Sequence, residues 1–314
     1  MCAEIVDLRR LGARDLAELL AEETAAWRDT LDWEFDKSAD LVRRFVDIHA
    51  LNGRALLVDG QPAGYLYYVV EDNKGLLGDL YIRHSMRTVD RENWLMDAGL
   101  AEMIATPGIN RIESQILLME FGLNRPVPQE KYVHRFERNF MQVELDRAQL
   151  GNGVIRRAAR FERWNDTFSD AAAQLIEEAY HGHVDSRIND QYRSVAGARR
   201  FLFNIVQYPG CGIFHRPASF AAFDGEDGPL CGISLASLVS PDCGHITQIC
   251  VSPQIRGTGI GHELMRRSLT ALRAHGCRRT SLTVTAANEG AVALYERMGF
   301  HTARKFFAFV WEGF

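Results

Sequence analysis

The run Gln254-Ile255-Arg256-Gly257-Thr258-Gly259-Ile260-Gly261 sets three glycines at alternate positions beside an arginine. Apolar residues recur at helical spacing from Ile260 through Leu264, Met265, Ser268, Leu269 and Leu272, so a helix begins inside this run and ends near His275-Gly276. Glycines at its start leave successive N–H groups uncovered, and these amides and the positive end of the helix dipole point the same way. That arrangement favours an anion, and Arg256 adds a charge able to pair with a phosphate. On these residues alone the turn implies a bound phosphate and nothing finer. Two common phosphate loops are excluded. A Walker loop ends in Gly-Lys-Ser/Thr, whereas Gly261 is followed by His262-Glu263; a dinucleotide fingerprint needs a third glycine where His262 stands.

The elements around the turn narrow the reading. Ile246 to Val251 is an apolar strand that stops at Ser252-Pro253, and Ser281-Leu282-Thr283-Val284 is a second strand after the helix. Beyond it come Asn288, Ala291, Leu294-Tyr295-Glu296 and Met298-Gly299-Phe300. The pattern Gln-x-x-Arg-Gly-x-Gly-x-Gly after a strand ending Val-x-Pro, followed by Asn-x-x-Ala-x-x-Leu-Tyr-x-x-x-Gly-Phe, resembles the signature of the GNAT acyl-CoA-dependent N-acetyltransferases. The resemblance is strong over about 219–311 and rests on architecture alone in the first half.

The resemblance implies direct transfer of an acetyl group from acetyl-CoA to a primary amine. Backbone groups of Ile249 and Val251 would then bond the pantetheine and polarise the thioester carbonyl, where charge develops in the transition state. Amides of Arg256, Gly257, Thr258, Gly259, Ile260 and Gly261 would hold the pyrophosphate, and Asn288 would add a cofactor contact. Tyr295 matches the position whose hydroxyl protonates the leaving thiolate. The base that must deprotonate the acceptor ammonium is open: His245 has a suitable side chain, Gln248 stands where many relatives carry Glu and can only orient a water, and an ordered water without a dedicated base serves equally. Cys250 reads as a small core thiol rather than a nucleophile. The acceptor loop of the family corresponds to 181–193, where Asp185 or Asp190 would receive a cationic amine, Arg187 or Arg193 a carboxylate, and Tyr192 would line the site. The alternative to these roles is a solvated loop paired with itself. His181 and His183 lack a third ligand nearby, so no metal is expected.

Composition sets the limits. The 314 residues exceed one typical domain, and 46% apolar with 25% charged residues suits packed globular cores. A net charge of −5 gives no reason to expect nucleic acid or an anionic membrane as partner. Six cysteines without Cys-x-x-Cys spacing read as thiols of a reducing cytoplasm. The first residues, Met1 to Asp7, do not read as a signal peptide, and no apolar run is long enough to span a bilayer.

The chain reads as the same α/β unit twice. In the first half strands are expected at 5–11, 54–58 and 62–70 around a turn, 76–82, 111–119 and 140–145, with helices near 14–27, 38–50 and 90–105. In the second half strands are expected at 154–161, 219–223 and 230–238, with helices at 169–180 and 195–206, before the signature elements. Landmarks recur at a constant offset of 168: Gly64 and Gly232, Asp59-Gly60 and Asp227-Gly228, Gly108 and Gly276. A tandem duplication follows, with mixed, mostly antiparallel sheets flanked by helices. The domains are placed at 1–150 and 151–314, joined by a linker at 146–153. At the same offset Arg256, Gly257, Gly259 and Gly261 fall on Thr88, Val89, Arg91 and Asn93, Asn288 falls on Glu120 and Tyr295 on Val127. Side chains replace every glycine, and Asp90 and Glu92 bring negative charge to where a pyrophosphate would lie. The first half therefore reads as a degenerate GNAT-like domain and the second as the catalytic one, acting on a small-molecule amine. Alternatives are a peptide or protein amine, or a non-catalytic CoA sensor; the chain would act as a monomer or homodimer.

Overall fold

The structure is a computed structural model and describes residues 2–151, 153–208 and 210–314. Met1 and the linker residue Asn152 lie outside them. Two compact units emerge, Met1–Glu137 with Phe306–Phe314, and Arg138–Lys305. The division thus falls at 137/138 and 305/306 instead of 150/151, and hydrogen bonding explains why. Residues 138–144 pair in register with 279–285, and residues 308–312 pair with 111–115. The first unit therefore takes a strand segment from the far end of the sequence, and the second begins with a strand segment that lies before the expected linker.

The first unit contains β1 (Ala3–Asp7), α1 (Ala17–Leu31), α2 (Asp36–Asp47), β2 (Gly53–Val58), β3 (Gln61–Glu71), β4 (Lys74–Ile82), α3 (Val89–Ala105), β5 (Arg111–Gln115) and the start of β6 (Val133–Glu144). Its strands run in the order β1-β2-β3-β4-β5, antiparallel except for the parallel pair β4–β5. The β2–β3 turn is the two-residue Asp59-Gly60, with φ of 49° and 79°; two left-handed residues match the twist of a tight hairpin. Leu66, Leu80, Leu95, Met96, Leu100 and Trp311 belong to one buried cluster between sheet and α3.

The second unit holds the rest of β6, then β7 (Ala159–Arg163), α4 (Ser169–Tyr180), α5 (Asp185–Ile188), α6 (Val195–Gln207), β8 (Ile213–Phe214), β9 (Phe220–Asp224), β10 (Leu230–Ser240), β11 (Cys243–Val251), α7 (Ile260–His275), β12 (Arg279–Thr285), α8 (Glu289–Arg297) and the start of β13 (His301–Glu312). Its sheet runs β6-β12-β11-β10-β9-β7, and only β11–β12 is parallel. The apolar stripe expected on α7 is the buried one: Ile260, Leu264, Met265, Ser268, Leu269 and Leu272 all face inward. Residues of α4 and α6 pack in a separate cluster with Ile233, Leu235 and Cys250.

The units share their internal plan. β3–β4 has a register shift between Tyr67 and Tyr68, β10–β11 has one between Leu235 and Ala236, and 235 − 67 = 168. Some elements differ from expectation: the first strand is Ala3–Asp7 and not 5–11, and the strand expected at 140–145 begins at Val133. Residues 154–158 are not part of the strand, because Arg156 N–H donates to Thr258 O at 2.8 Å and not to a sheet neighbour. The strand from 111 ends at Gln115, since its parallel partner pairs only as far as Leu77↔Ser114. β13 has no counterpart among the expected elements.

Candidate active site

A cleft of about 570 Å³ opens in the second unit, lined by the Gly loop, the ends of α4 and β11, and the first turns of α8. Its geometry begins with β11. Leu235 pairs with Gln248 but Ala236 pairs with Ile246, so Thr247 is an extra residue, a β-bulge. Parallel pairing with β12 covers only Cys243–Ile246 against Arg279–Leu282, and beyond that the two strands part. Ser252 N–H donates to Cys231 O on the β10 side. By the alternation of strand amides, those of Ile249 and Val251 point the other way, into the gap. Both residues line the cleft.

The loop after β11 is built for exposed amides. Gly257 and Gly259 have φ of 78° and 94°, the left-handed region that other residues enter only at a cost. Gly259 is the N-cap of α7 and offers no side chain to bond the first-turn amides. Those amides have no acceptor within the helix, so they remain available to an anion. A Cβ on Gly259 would lie 2.4 Å from Val154 O, so the segment before β7 also requires glycine here. Arg256, Gly257, Gly259, Ile260 and Gly261 all line the cleft, whereas Thr258 does not and turns its hydroxyl to Ile255 O at 2.7 Å. The Arg256 guanidinium donates through Nη2 to Ala179 O at 2.7 Å, which ties it to the negative C-terminal end of α4.

Tyr295 and Asn288 line the same cleft from α8. Asn288 is the N-cap of that helix, its Oδ1 accepting from Ala291 N–H at 3.3 Å. Tyr295 is buried, and burial together with the Asp185 charge raises its hydroxyl pKa above the usual value, which keeps the proton in place for donation. Cys250 lines the cleft too, with its thiol pushed up to about 12 by burial. The small fraction of thiolate at neutral pH agrees with a packing role.

The two other candidate catalytic residues lie elsewhere. His245 is buried away from the cleft lining, its Nδ1 2.9 Å from Ser281 Oγ and its ring stacked on Phe140 at 6.5 Å. Burial holds its pKa at about 3, so it stays neutral and cannot retain a proton near pH 7. Gln248 is held between two tyrosines: its Nε2 donates to the Tyr180 hydroxyl at 3.0 Å, and its Oε1 accepts from Tyr192 at 3.4 Å. Tyr192 itself stacks on Tyr180 at 4.4 Å. Among the acceptor-loop candidates, Arg187 is exposed, and Asp190 starts the turn before α6; neither lines the cleft.

Asp185 is already engaged. Its Oδ1 lies 3.4 Å from Arg138 Nη1 and accepts from the Thr285 hydroxyl, and Arg138 also donates to Thr283 and Thr285, each at 3.1 Å. An arriving amine would therefore meet a carboxylate whose charge Arg138 already balances. Arg138 sits far from the signature and carried no sequence signal of its own; the pairing of β6 with β12 brings it here. His183 lines the cleft as well, a place its sequence neighbours do not signal. Among the described residues no group of three or more His, Cys, Asp or Glu side chains is placed to hold a metal ion, and no helix is long and apolar enough to cross a membrane.

Comparisons with known proteins agree with this geometry. The sequence profile of the Acetyltransferase (GNAT) family matches residues 171–300. A mycothiol acetyltransferase of Corynebacterium glutamicum is 40% identical over 81 residues, which is 26% of this chain and 27% of that protein. The N-alpha-acetyltransferase MAK3 of Arabidopsis thaliana is 36% identical over 70 residues, 22% of this chain and 37% of that protein. The chain thus matches about a quarter to a third of the length of these relatives. A GCN5-related N-acetyltransferase from Sphaerobacter thermophilus superposes with a TM-score of 0.67 at 16% identity, covering 99% of this chain and 95% of that one. A tandem GNAT protein from the clavulanic acid biosynthesis pathway gives 0.59 at 15% identity, covering 99% and 98%. At such identities the fold alone is shared, and it is shared along the whole chain. Residues 171–300 thus match the GNAT acetyltransferase family, and the fold of a tandem GNAT protein extends along the whole chain.

Proposed function

We propose that the second unit transfers the acetyl group of acetyl-CoA directly to a primary amine of a small molecule, and that the first unit binds no CoA. The observation that carries this reading is the single cleft in which uncapped amides of α7, the open β11–β12 gap and the Tyr295 hydroxyl meet. In this reading the amides of residues 256–261 hold the pyrophosphate, as a helix N-terminus does for phosphates, and Asn288 adds a cofactor contact. Amides of Ile249 and Val251 bond the pantetheine and polarise the thioester carbonyl, where charge develops during attack. Tyr295 gives its proton to the departing thiolate. Gln248, fixed by Tyr180 and Tyr192, shapes the acceptor side. Of the acceptor-loop candidates, Tyr192 on Gln248 and Asp185 on Thr285 bound the acceptor side, whereas Arg187 and Asp190 stand off the cleft. The enzyme would work in a reducing cytoplasm, as a monomer or homodimer.

The likeness to mycothiol acetyltransferases supports a small-molecule acceptor, while that to an N-alpha-acetyltransferase supports a peptide amine as the second reading. Calorimetric titration with acetyl-CoA tests the proposal first. One site per chain is expected. Two sites would give the first unit a cofactor role, and no binding would remove acetyl-CoA as donor.

A further inference from the structure

One wall of the cleft is built from the end of α4 and the turn after it, where Tyr180 and His183 stand. The Tyr180 hydroxyl accepts from Gln248 Nε2 at 3.0 Å, and Gln248 Oε1 accepts from the Tyr192 hydroxyl at 3.4 Å. These bonds form a directed chain from Tyr192 through Gln248 to Tyr180, and each bond polarises the next. A hydroxyl has one proton and two lone pairs. Since Gln248 donates to it, Tyr180 keeps its own proton for another partner. Burial raises the Tyr180 pKa well above its usual value, so that proton stays in place. Stacking on Tyr192 at 4.4 Å fixes the ring.

His183 adds a second donor. Its ring meets Tyr180 edge-on at 5.4 Å. The Asp185 backbone N–H donates to its Nδ1 at 3.2 Å, which puts the proton of the neutral ring on Nε2. Among the described residues nothing accepts from the Tyr180 hydroxyl or from His183 Nε2. Two neighbouring donors cannot hold the N–H groups of an amine or an ammonium, which are donors themselves. Nor does charge draw the amine to this wall, because Arg138 balances Asp185. What the wall can receive is an oxygen. Gln248 directly precedes Ile249, whose amide is assigned to the thioester, and both Ile249 and Tyr180 line the cleft. The oxygen that Tyr180 receives must therefore lie close to the attacking nitrogen.

We propose that the acceptor carries a hydroxyl or carbonyl oxygen on the carbon next to the one that bears its amine, and that the Tyr180 hydroxyl donates to this oxygen; this rests on the acetyl-CoA reading above. Gln248 and Tyr192 are positioning residues that aim the Tyr180 proton. A vicinal amino alcohol, an amino sugar and an α-amino amide all meet the demand. A plain alkyl amine leaves the donors unmet, and a site built to hydrogen-bond a substrate discriminates against the analogue that lacks the partner.

The test follows thiol release from acetyl-CoA with paired acceptors: ethanolamine and propylamine, glycinamide and isobutylamine, glucosamine and cyclohexylamine. Only the first member of each pair carries the oxygen. The readout is the ratio of kcat/KM within a pair, taken for variant and wild type at one pH so that amine basicity cancels. Tyr180→Phe should lower that ratio about five- to tenfold, with acetyl-CoA affinity by calorimetry unchanged. Gln248→Glu turns the Tyr180 proton toward the new carboxylate, so its ratio should fall likewise, and adding Tyr180→Phe should lower it no further. A base gained at position 248 would raise both members of a pair alike and does not enter the ratio. Wild-type turnover confined to the oxygen-bearing members, lost in Tyr180→Phe, supports the assignment in the same way. Turnover of the alkyl amines alone, an equal loss on both members in Tyr180→Phe, or a wild-type ratio in Gln248→Glu overturns the assignment of the oxygen and leaves the acetyltransferase reading standing. Wild-type protein that releases no thiol with any of these amines overturns that reading and the assignment with it.

Discussion

Two helix N-termini, at α3 and at α7, occupy equivalent places in the two units and have opposite solutions to the same problem. At α7 the cap is Gly259, which has no side chain, and the first-turn amides stay open beside a cleft. At α3 the cap is Thr88, whose Oγ1 accepts from Arg91 N–H at 3.2 Å. Glu92 follows in the first turn, buried and bonded by Arg125 Nη2 and by Arg87 Nε at 2.6 Å. The expected negative charge is therefore present but neutralised from within, and the anion of the first unit is its own side chain. Where the second unit has Tyr295, the first has Val127, packed in the core. The pleat, bulge and parallel pairing survive in both units, so a fold can be kept while its ligand chemistry is replaced at a few positions.

The largest expected effect comes from making α7 resemble α3. Gly261 is the second helical residue of α7, has no left-handed φ, and a Cβ there meets only Val251 Cγ2 at 3.5 Å. Gly261→Glu should therefore fold, and should gain about 1 kcal/mol from helix propensity with a few tenths more from the dipole. It should nonetheless abolish calorimetric binding of acetyl-CoA, because a carboxylate occupies the place of the phosphate. A raised melting temperature with lost binding supports the comparison; retained binding breaks it. Next in size is Tyr295→Phe. Turnover should fall about a hundred- to ten-thousandfold, while the acetyl-CoA titration stays as in wild type. Equal turnover in the variant would leave Tyr295 as a packing residue.

The next prediction reverses the view. Glu92→Ala leaves two arginines facing each other, one of them, Arg125, with a side chain only 5% exposed. Removing one member of such a buried group should cost about 3–5 kcal/mol. Glu263 on α7 is also buried and binds Arg266 and Arg267, but their side chains are 23% and 36% exposed and can turn to water. Glu263→Ala should accordingly cost about 1 kcal/mol. Urea midpoints of the two variants measure the contrast, and similar midpoints would deny the first unit its internal counter-ion.

How far the sequence reaches is visible in these same residues. The Gly loop and the stripe on α7 are legible because local chemistry dictates them: left-handed backbone and helical period. The β11–β12 gap and the bulge at Thr247 follow from a motif, and their geometry needs strand pairing to be seen. His245 and Arg138 show what stayed hidden. His245 has the side chain of a base, but its burial against Ser281 and Phe140 depends on β11 pairing with β12 and β12 with β6, which residue type does not reveal. Arg138 reaches Asp185 only because β6 pairs with β12 across more than 130 residues of chain, a relation that spacing cannot encode. The division between units escaped for the same reason, as residues 306–314 belong with strands formed 200 positions earlier.

A smaller effect than the loss at Glu92, and the one that separates the units by pH, concerns Glu23 and Asp79. Both are buried in the first unit, where the Tyr65 hydroxyl donates to Glu23 Oε2 at 2.7 Å and Leu80 N–H donates to Asp79 Oδ1 at 2.7 Å. Burial raises the Glu23 pKa well above its usual value, with the Asp79 charge adding to it, and burial pushes Asp79 up to about 6. Folded protein thus holds a proton here that unfolded protein releases near pH 4. Such a raised carboxyl pKa makes stability greatest below the unfolded value and lowers it as pH rises through the folded one. Asp79→Asn removes the Asp79 titration and leaves the burial-raised Glu23, so its urea midpoint relative to wild type should rise from about pH 4 to about pH 6, by the equivalent of roughly 1–3 kcal/mol. In the second unit the offset of 168 places Thr247 where Asp79 stands, a neutral residue whose hydroxyl donates to Leu235 O at 3.1 Å, and Thr247→Ser should leave the pH dependence of wild type unchanged. A difference between Asp79→Asn and wild type that is flat with pH would mean that the two carboxyls carry no shared proton, and the contrast between the units would then rest on their helix N-termini alone.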